Sequence, residues 1–346
     1  MSRPLAPFVL DPHGPFGAAV CRALRARGLP VRGGVVPGSS AALPEGVHAV
    51  VVEPTDLAAV LEAAEGCDAH VFAWRPGVER AANDRVRASQ HLAEAAAQGG
   101  GTLVVPGDIY GYKPVYGVKL PAWGCRRDAN DPPSPRGDAS NLIDDAIEQN
   151  AHLRGVRTIL LRSTDWFGAG VDDGPIADMF RAALAGRPIR WPGALGAAHG
   201  FTWVDDVAEA AVRLLLAEPR PYVAAPASED DPEEDPREAN TFRKVPRTEA
   251  YGVGGHVLTA DALAAALAKA AGTAPVPPTH GAAWPDRLAG LFDPAARARL
   301  EVAWTWADAV ELDDAPLLER LGDFAPASLD DAVAATMAWF RTERSR

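Results

Sequence analysis

The chain is 346 residues long, 47% hydrophobic and 23% charged, enough for one large or two modest domains, each with its own core. Its 46 acidic against 34 basic side chains, a formal net charge of -12, argue against a nucleic-acid partner, which needs clustered Lys and Arg. No run approaches the roughly 20 apolar residues of a membrane span and the N-terminus lacks a basic-then-apolar signal pattern, so a cytoplasmic protein without membrane contact is expected.

Cys21, Cys67 and Cys125 are odd in number and far apart, so no disulfide scaffold is expected. The eight histidines are scattered, and no CxxC, HExxH, GxxxxGKS/T or GxSxG occurs. No metal site, P-loop or hydrolase elbow is therefore expected.

In chain order, the apolar run Phe8, Val9, Leu10 meets a turn, Asp11-Pro12-His13-Gly14-Pro15-Phe16-Gly17, after which apolar residues recur at helical spacing as Phe16, Val20, Ala23 and Leu24. A strand, a tight turn and a helix in that order present helix N-terminal amides to a dinucleotide pyrophosphate. The turn resembles the GxxGxxG of the extended short-chain dehydrogenase/reductase family, which includes sugar epimerases and dehydratases. Gly14 and Gly17 stand at the second and third glycine positions and Asp11 at the first. The resemblance implies NAD or NADP as cofactor, with Asp11, His13, Gly14, Phe16 and Gly17 as its contacts here. Asp11 brings a side chain and a negative charge close to where a phosphate should lie, so cofactor binding is expected to be weakened or lost.

Leu29 to Val36 reads as the second strand, without the acidic residue or arginine that usually meets the adenosine ribose or its phosphate at the strand tip. Val47 to Val52 is the third, followed by a helix from Leu57 to Glu65. By the same resemblance Glu53 is the adenine-side candidate; the alternative is a capping turn through Thr55 or Asp56. Ala69 to Ala73 is the fourth strand, placing Ala73 beside the cofactor and Arg75 as an anion contact at the edge where open α/β sheets collect ligands. Glu79 to Gln98 is a long helix. In the family this helix and the one at Ala139 to Asn150 pack against a partner subunit, so a homodimer is implied.

Thr102 to Val105 is the fifth strand, and Pro106 to Gly111 resembles the family segment ending in Val-Tyr-Gly, with Pro106 where a catalytic serine or threonine belongs. Family reductases move a proton through a tyrosine whose phenol pKa, near 10 in model compounds, is lowered by a lysine one helical turn on. The tyrosines are Tyr110, Tyr112, Tyr116, Tyr222 and Tyr251, and none has a lysine four positions later. Where the pair should lie, Arg136 takes the tyrosine position and Ser140 the lysine position. Arg136 cannot serve as a neutral donor, its pKa exceeding about 12. The loop Tyr110 to Lys119, with three tyrosines and two of the four lysines, is the candidate for relocated acid/base chemistry. Tyr110, Lys113, Asp108, Arg136 and Asp165 are the candidate catalytic residues; packing and solvation are the other account of that loop.

Thr158 to Leu161 is a further strand. After it Ser163 takes a family proline position beside the nicotinamide, and Asp165, Trp166 and Phe167 either face the substrate or form core. Pro175 to Ala185 is helical. The stretch from Gly186 to Leu215 resembles the family segment in which Val-Asp-Asp-Val-Ala opens a helix returning to the cofactor domain. Asp205 and Asp206 are expected to cap that helix, and Arg190, Trp191 and His199 to line the substrate pocket. Ser228 to Glu238 is an acidic solvated loop. Helices are expected at Val257 to Ala271, capped by Thr259 and stopped by Gly272, and at Leu288 to Phe292, Ala295 to Trp306, Pro316 to Leu321 and Leu329 to Arg341.

The expected fold is α/β, a Rossmann-type doubly wound parallel sheet with a smaller, mostly helical C-terminal substrate domain. Residues 1–168, with 200–226 returning, form the cofactor-type domain, and 169–199 with 227–346 the other. Three functions stay open: an NAD(P)-dependent oxidoreductase or epimerase acting on a small molecule without the usual Ser-Tyr-Lys relay, a non-redox lyase, isomerase or cyclase on the same scaffold, and a non-catalytic NAD(P) or ligand sensor.

Overall fold

The computed structural model describes residues 5–39, 42–75, 82–113, 117–123, 126–127, 131, 134–219, 248–281, 300 and 303–343. The first half alternates strand and helix as its apolar pattern dictates: β1 (Pro7–Leu10), α1 (Pro15–Ala26), β2 (Val31–Val35), β3 (Val47–Val51), α2 (Leu57–Ala64), β4 (Ala69–Phe72), α3 (Ala82–Gly99) and β5 (Thr102–Gly107). There follow β6 (Lys119–Leu120), α4 (Pro135–Arg154), β7 (Arg157–Arg162), β8 (Asp165–Phe167), α5 (Gly174–Leu184), β9 (Arg190–Trp191), β10 (His199–Trp203) and α6 (Val204–Leu216). The last described part holds β11 (Thr248–Gly252), β12 (His256–Leu258), α7 (Ala260–Ala271), β13 (Thr279–His280), a single 3-10 turn at Ala303–Trp306, β14 (Glu311–Leu312), α8 (Ala315–Leu321) and α9 (Leu329–Glu343).

Seven strands form one parallel sheet in the order β11-β7-β5-β4-β1-β2-β3. Side chains alternate across a strand, so β1 sends Val9 into a core shared with α1 and α6 and sends Phe8 and Leu10 into one shared with α2, α3 and α4. Helices on both faces explain why these strands read as continuous apolar runs. The strand order reverses at β1, which lies between β2 and β4. The carboxyl ends of β1 and β4 therefore border the crevice where such sheets take ligands. Gly17 lets α1 begin against that crevice, since a Cβ there would lie 2.0 Å from the Asp11 carbonyl oxygen.

The sequence pattern missed β11, because only alternate positions of Thr-Glu-Ala-Tyr-Gly could be apolar and one of them is Glu249. Its carboxylate is buried against Arg157 at 2.7 Å. Beyond the large sheet, β12-β10-β8, β13-β9 and β14-β6 form three small ones. Val257 belongs to β12; α7 starts at Ala260, where Thr259 Oγ1 accepts the Ala262 N–H, and ends at Gly272, φ 74°. Asp205 and Asp206 stand inside the first turn of α6, whose N-cap is Trp203. Instead of capping, Asp205 pairs with Arg22 and Asp206 accepts the Ala327 N–H, tying the C-terminal segment to the helix. The acidic run 228–238, the start of the helix expected from Glu79, the helix at 288–292 and most of that at 295–306 lie outside the described residues. No described helix is long and apolar enough to cross a membrane, and the described residues hold no cluster of His, Cys, Asp and Glu suited to a metal ion.

Candidate active site

At the end of β5 the chain turns over the carboxyl edge of the sheet through Asp108, Ile109 and Tyr110. Tyr110 is 7% exposed, and its Oη donates to Asp165 Oδ1 at the start of β8. Asp165 lies opposite Phe201 in the β8–β10 pair, which brings His199, two residues earlier on β10, to the same carboxylate. His199 Nε2 stands 3.0 Å from Asp165 Oδ2, and its Nδ1 stands 2.8 Å from the Thr305 carbonyl oxygen. Both ring nitrogens face oxygen atoms, so the ring is held from both sides. The indole of Trp306 stacks on it, centroids 3.6 Å apart at 6°, with Trp191 edge-on.

Burial raises the Tyr110 phenol above its ordinary value and the Asp165 charge raises it further, against the pull of the Arg136 guanidinium 3.9 Å over its ring. Burial also works to raise Asp165, but the hydrogen bond and charge of His199 outweigh it and hold that carboxyl below the usual range. At rest the phenol is neutral and Asp165 is a carboxylate.

Asp108 Oδ1 accepts the Tyr110 N–H at 3.1 Å and the Ser140 hydroxyl at 2.8 Å, fixing the turn that aims the phenol. Arg136 stacks on Tyr110, 3.9 Å over its ring. Tyr112 is packing: its Oη donates to the Pro121 carbonyl at 3.1 Å and Arg162 lies over its ring. Lys113 is half-buried on the same loop; Tyr116 lies outside the described residues. The structure thus gathers Tyr110, Asp108, Arg136 and Asp165 and adds His199, which the sequence had placed only as a pocket lining. Phe167 is core, stacked on Phe180 at 6.2 Å.

At the other end of the crevice Asp11 adopts φ 68°. Its carboxylate accepts the Gly14 N–H at 3.3 Å and is also hydrogen-bonded by the amides of His13 and Arg75, yet burial prevails and raises it. Pro15, first in α1, has no N–H to give a phosphate. Against this, α1 still directs its N-terminal amides at the crevice, and both ring nitrogens of His13 are buried without a partner among the described residues. Phe16 packs on Trp166 at 5.8 Å, Arg75 lies 3.8 Å over the same indole, and Trp166 Nε1 donates to Ser163 Oγ at 2.6 Å. Ala73 bonds back to Leu10 at the strand end, Glu53 accepts the Thr55 hydroxyl at 2.8 Å, and Asp56 caps α2. The start of α1 and the ends of β1 and β4 are the places among the described residues where a dinucleotide would lie, and Asp11 is an opposing charge there.

The sequence pattern of the NAD dependent epimerase/dehydratase family matches residues 12–225. Among solved structures, the UDP-glucose 4-epimerase of Thermotoga maritima, determined with UDP-glucose, is 17% identical over 98% of this chain and 100% of its own, with a TM-score of 0.69. The Bordetella bronchiseptica enzyme WbmG, determined with NAD and UDP, is 15% identical over 99% of this chain and 96% of its own, with a TM-score of 0.70. At such identities the likeness is one of fold. No curated protein sequence matches the chain. The family match covers more than half of the sequence, and the chain belongs to the NAD dependent epimerase/dehydratase family.

Proposed function

We propose that the chain is an enzyme that moves a proton to and from a hydroxyl or carbonyl of a small molecule through Tyr110, Asp165 and His199, in place of a tyrosine-lysine pair. The buried hydrogen-bond chain from Tyr110 through Asp165 to His199 supports this reading. The phenolic proton points at Asp165, so the Oη lone pairs are left for a substrate hydroxyl. As that hydroxyl gives its proton to Oη, the phenolic proton passes to Asp165, whose other oxygen His199 holds. No free phenolate forms, which suits a phenol whose ionisation burial opposes. Run backwards, the same path protonates a carbonyl oxygen. A positioned acid/base group of this kind contributes about 100- to 10,000-fold in rate.

The nicotinamide cofactor of the family, when bound, supplies a hydride donor or acceptor. His13, Gly14, Phe16 and Gly17 at the start of α1, Ala73, Arg75 and Ser163 at the strand ends, and Glu53 on the adenine side would hold it. The relatives determined with UDP-glucose or with NAD and UDP make nucleotide sugars the first substrates to try. A second reading, elimination or isomerisation without hydride transfer, draws on the Asp11 carboxylate and Pro15 at the phosphate end of the crevice.

The experiment is turnover of a panel of nucleotide sugars, sugar acids and hydroxy acids in heavy water with NAD, with NADP and with neither, followed by NMR. Turnover that needs a dinucleotide supports the first reading and turnover without one the second. Tyr110→Phe and Asp165→Asn should each lose at least about 100-fold; full activity in both would remove the relay.

A further inference from the structure

We propose that Arg162 and Asp144 are positioning residues that hold Tyr110 against Asp165; this rests on the proton-transfer reading of Tyr110. In the parallel β5–β7 pair the last register partners are Gly107 and Arg162, and the Ser163 N–H closes the ladder on the Gly107 carbonyl at 3.1 Å. The next carbonyl, that of Asp108, has left the ladder while Asp108 stays buried. A buried carbonyl needs a donor, and Arg162 Nη1 supplies one at 2.8 Å. The side chain of the last β7 residue thus takes the place of a strand amide, at the point where the chain turns toward Tyr110. Gly107 leaves the guanidinium room to do so, since a Cβ there would lie 2.9 Å from Nη1.

Arg162 is 1% exposed, and its remaining N–H groups reach two further segments. Nε donates to the Ala122 carbonyl at 3.3 Å and Nη2 to Asp144 Oδ2 at 2.7 Å; Arg126 stands 3.8 Å from the same carboxylate oxygen. Asp144 lies one turn along α4 from Ser140, whose hydroxyl donates to Asp108 Oδ1 at 2.8 Å, and that oxygen also accepts the Tyr110 N–H. Neighbouring positions on one face of α4 therefore grip Asp108 at both ends, Ser140 at the carboxylate and Asp144, through Arg162, at the carbonyl. Tyr110 follows two residues later, between β5 and β6, with no strand to place it. A planar fork of donors serves three acceptors at fixed angles, which an ammonium on a flexible stem does not. In the relay the phenol must meet both Asp165 and a substrate oxygen, and a misplacement of about 1 Å costs on the order of 100-fold in rate.

The test is NMR of the full chain carrying tyrosine labelled with heavy carbon at Cζ, the Tyr110 signal being the one that Tyr110→Phe removes. Arg162→Lys and Asp144→Ala should both move that signal, and Asp144→Asn, which keeps an acceptor for Nη2, should move it less. Tyr251, whose hydroxyl donates to Glu249 on β11, should stay in place in all three. With a substrate found in the turnover panel, Arg162→Lys should lower kcat about 100-fold and change KM less than about twofold, and Asp144→Asn should keep most of what Asp144→Ala loses. A Tyr110 signal unmoved in Arg162→Lys and Asp144→Ala overturns the proposal. So does a common movement of Tyr110 and Tyr251, which would make the pair a general brace of the fold. Removing one partner of a buried ion pair is costly, so melting curves accompany each variant; should Arg162→Lys and Asp144→Ala fail to fold, a moved Tyr110 signal in Asp144→Asn supports the proposal and an unmoved one overturns it. The signal is read without substrate. Full turnover in Tyr110→Phe would therefore remove the relay whatever the signal does, whereas an unmoved signal beside lost turnover in Tyr110→Phe would remove the positioning pair and keep the relay.

Discussion

Replacing Asp11 with glycine should tighten dinucleotide binding. The carboxylate lies between the ends of β1 and β4, and its φ of 68° is one that glycine adopts freely. Two like charges 4 Å apart interact by about 4 kcal/mol at an effective dielectric constant near 20. The His13, Gly14 and Arg75 amides now bonded to the carboxylate would be released toward the ligand, while spreading of the phosphate charge reduces the repulsion. We expect a net gain of about 2 kcal/mol, or roughly 30-fold in Kd, read by fluorescence titration with NADH and NADPH. Asp11→Asn, which removes the charge and tolerates positive φ, should recover most of that gain. The pH dependence has a fixed sign: the Asp11 carboxyl is raised, so lowering the pH neutralises it and should strengthen wild-type binding more than binding to Asp11→Gly. Equal affinity in wild type and both variants, with equal pH profiles, would refute the assignment of Asp11 as an opposing anion.

Asp165→Asn should also destabilise the fold by about 2 kcal/mol in urea unfolding, since it disturbs the buried contacts of Asp165 with Tyr110 and His199. An unchanged midpoint would mean that those contacts do not hold the fold together. Asp206 is raised to about 6 by burial; with its folded pKa above its unfolded one, its contribution is complete below about 4 and is lost as pH rises through 6. Asp206→Asn should therefore raise Tm at pH 8 and not at pH 4, by a shift equivalent to about 1 kcal/mol; equal shifts at both pH values would contradict it. Trp306→Leu removes the ring stacked on His199 and should cost turnover in proportion to the loss of the relay while leaving NADH affinity unchanged. Unaltered turnover would show that the stack plays no part.

Much of the fold was legible because it is local. Phe8-Val9-Leu10 is apolar on both faces, the Gly14 and Gly17 spacing opens a helix, and the later strands are β-branched runs between helical repeats. That no tyrosine is followed four positions on by a lysine was legible too, because a fixed spacing can be searched completely. The relay was not, since Asp165 and His199 meet only through the β8–β10 pairing and Tyr110 reaches them from a third element. No sequence period marks such a meeting, although the placing of His199 just ahead of the Val-Asp-Asp-Val-Ala helix was a partial signal. Glu249 hid β11, because a charge in a strand reads as surface until its Arg157 partner is seen.

Nitrogen NMR of the His199 side chain, in wild type and in Asp165→Asn, tests the buried relay most directly. The account predicts a proton on Nε2 in the wild type, donated to Asp165, and a changed Nε2 signal in the variant. A wild-type ring with a bare Nε2 would mean that Asp165 carries the proton itself, and the path from Tyr110 to His199 would fall.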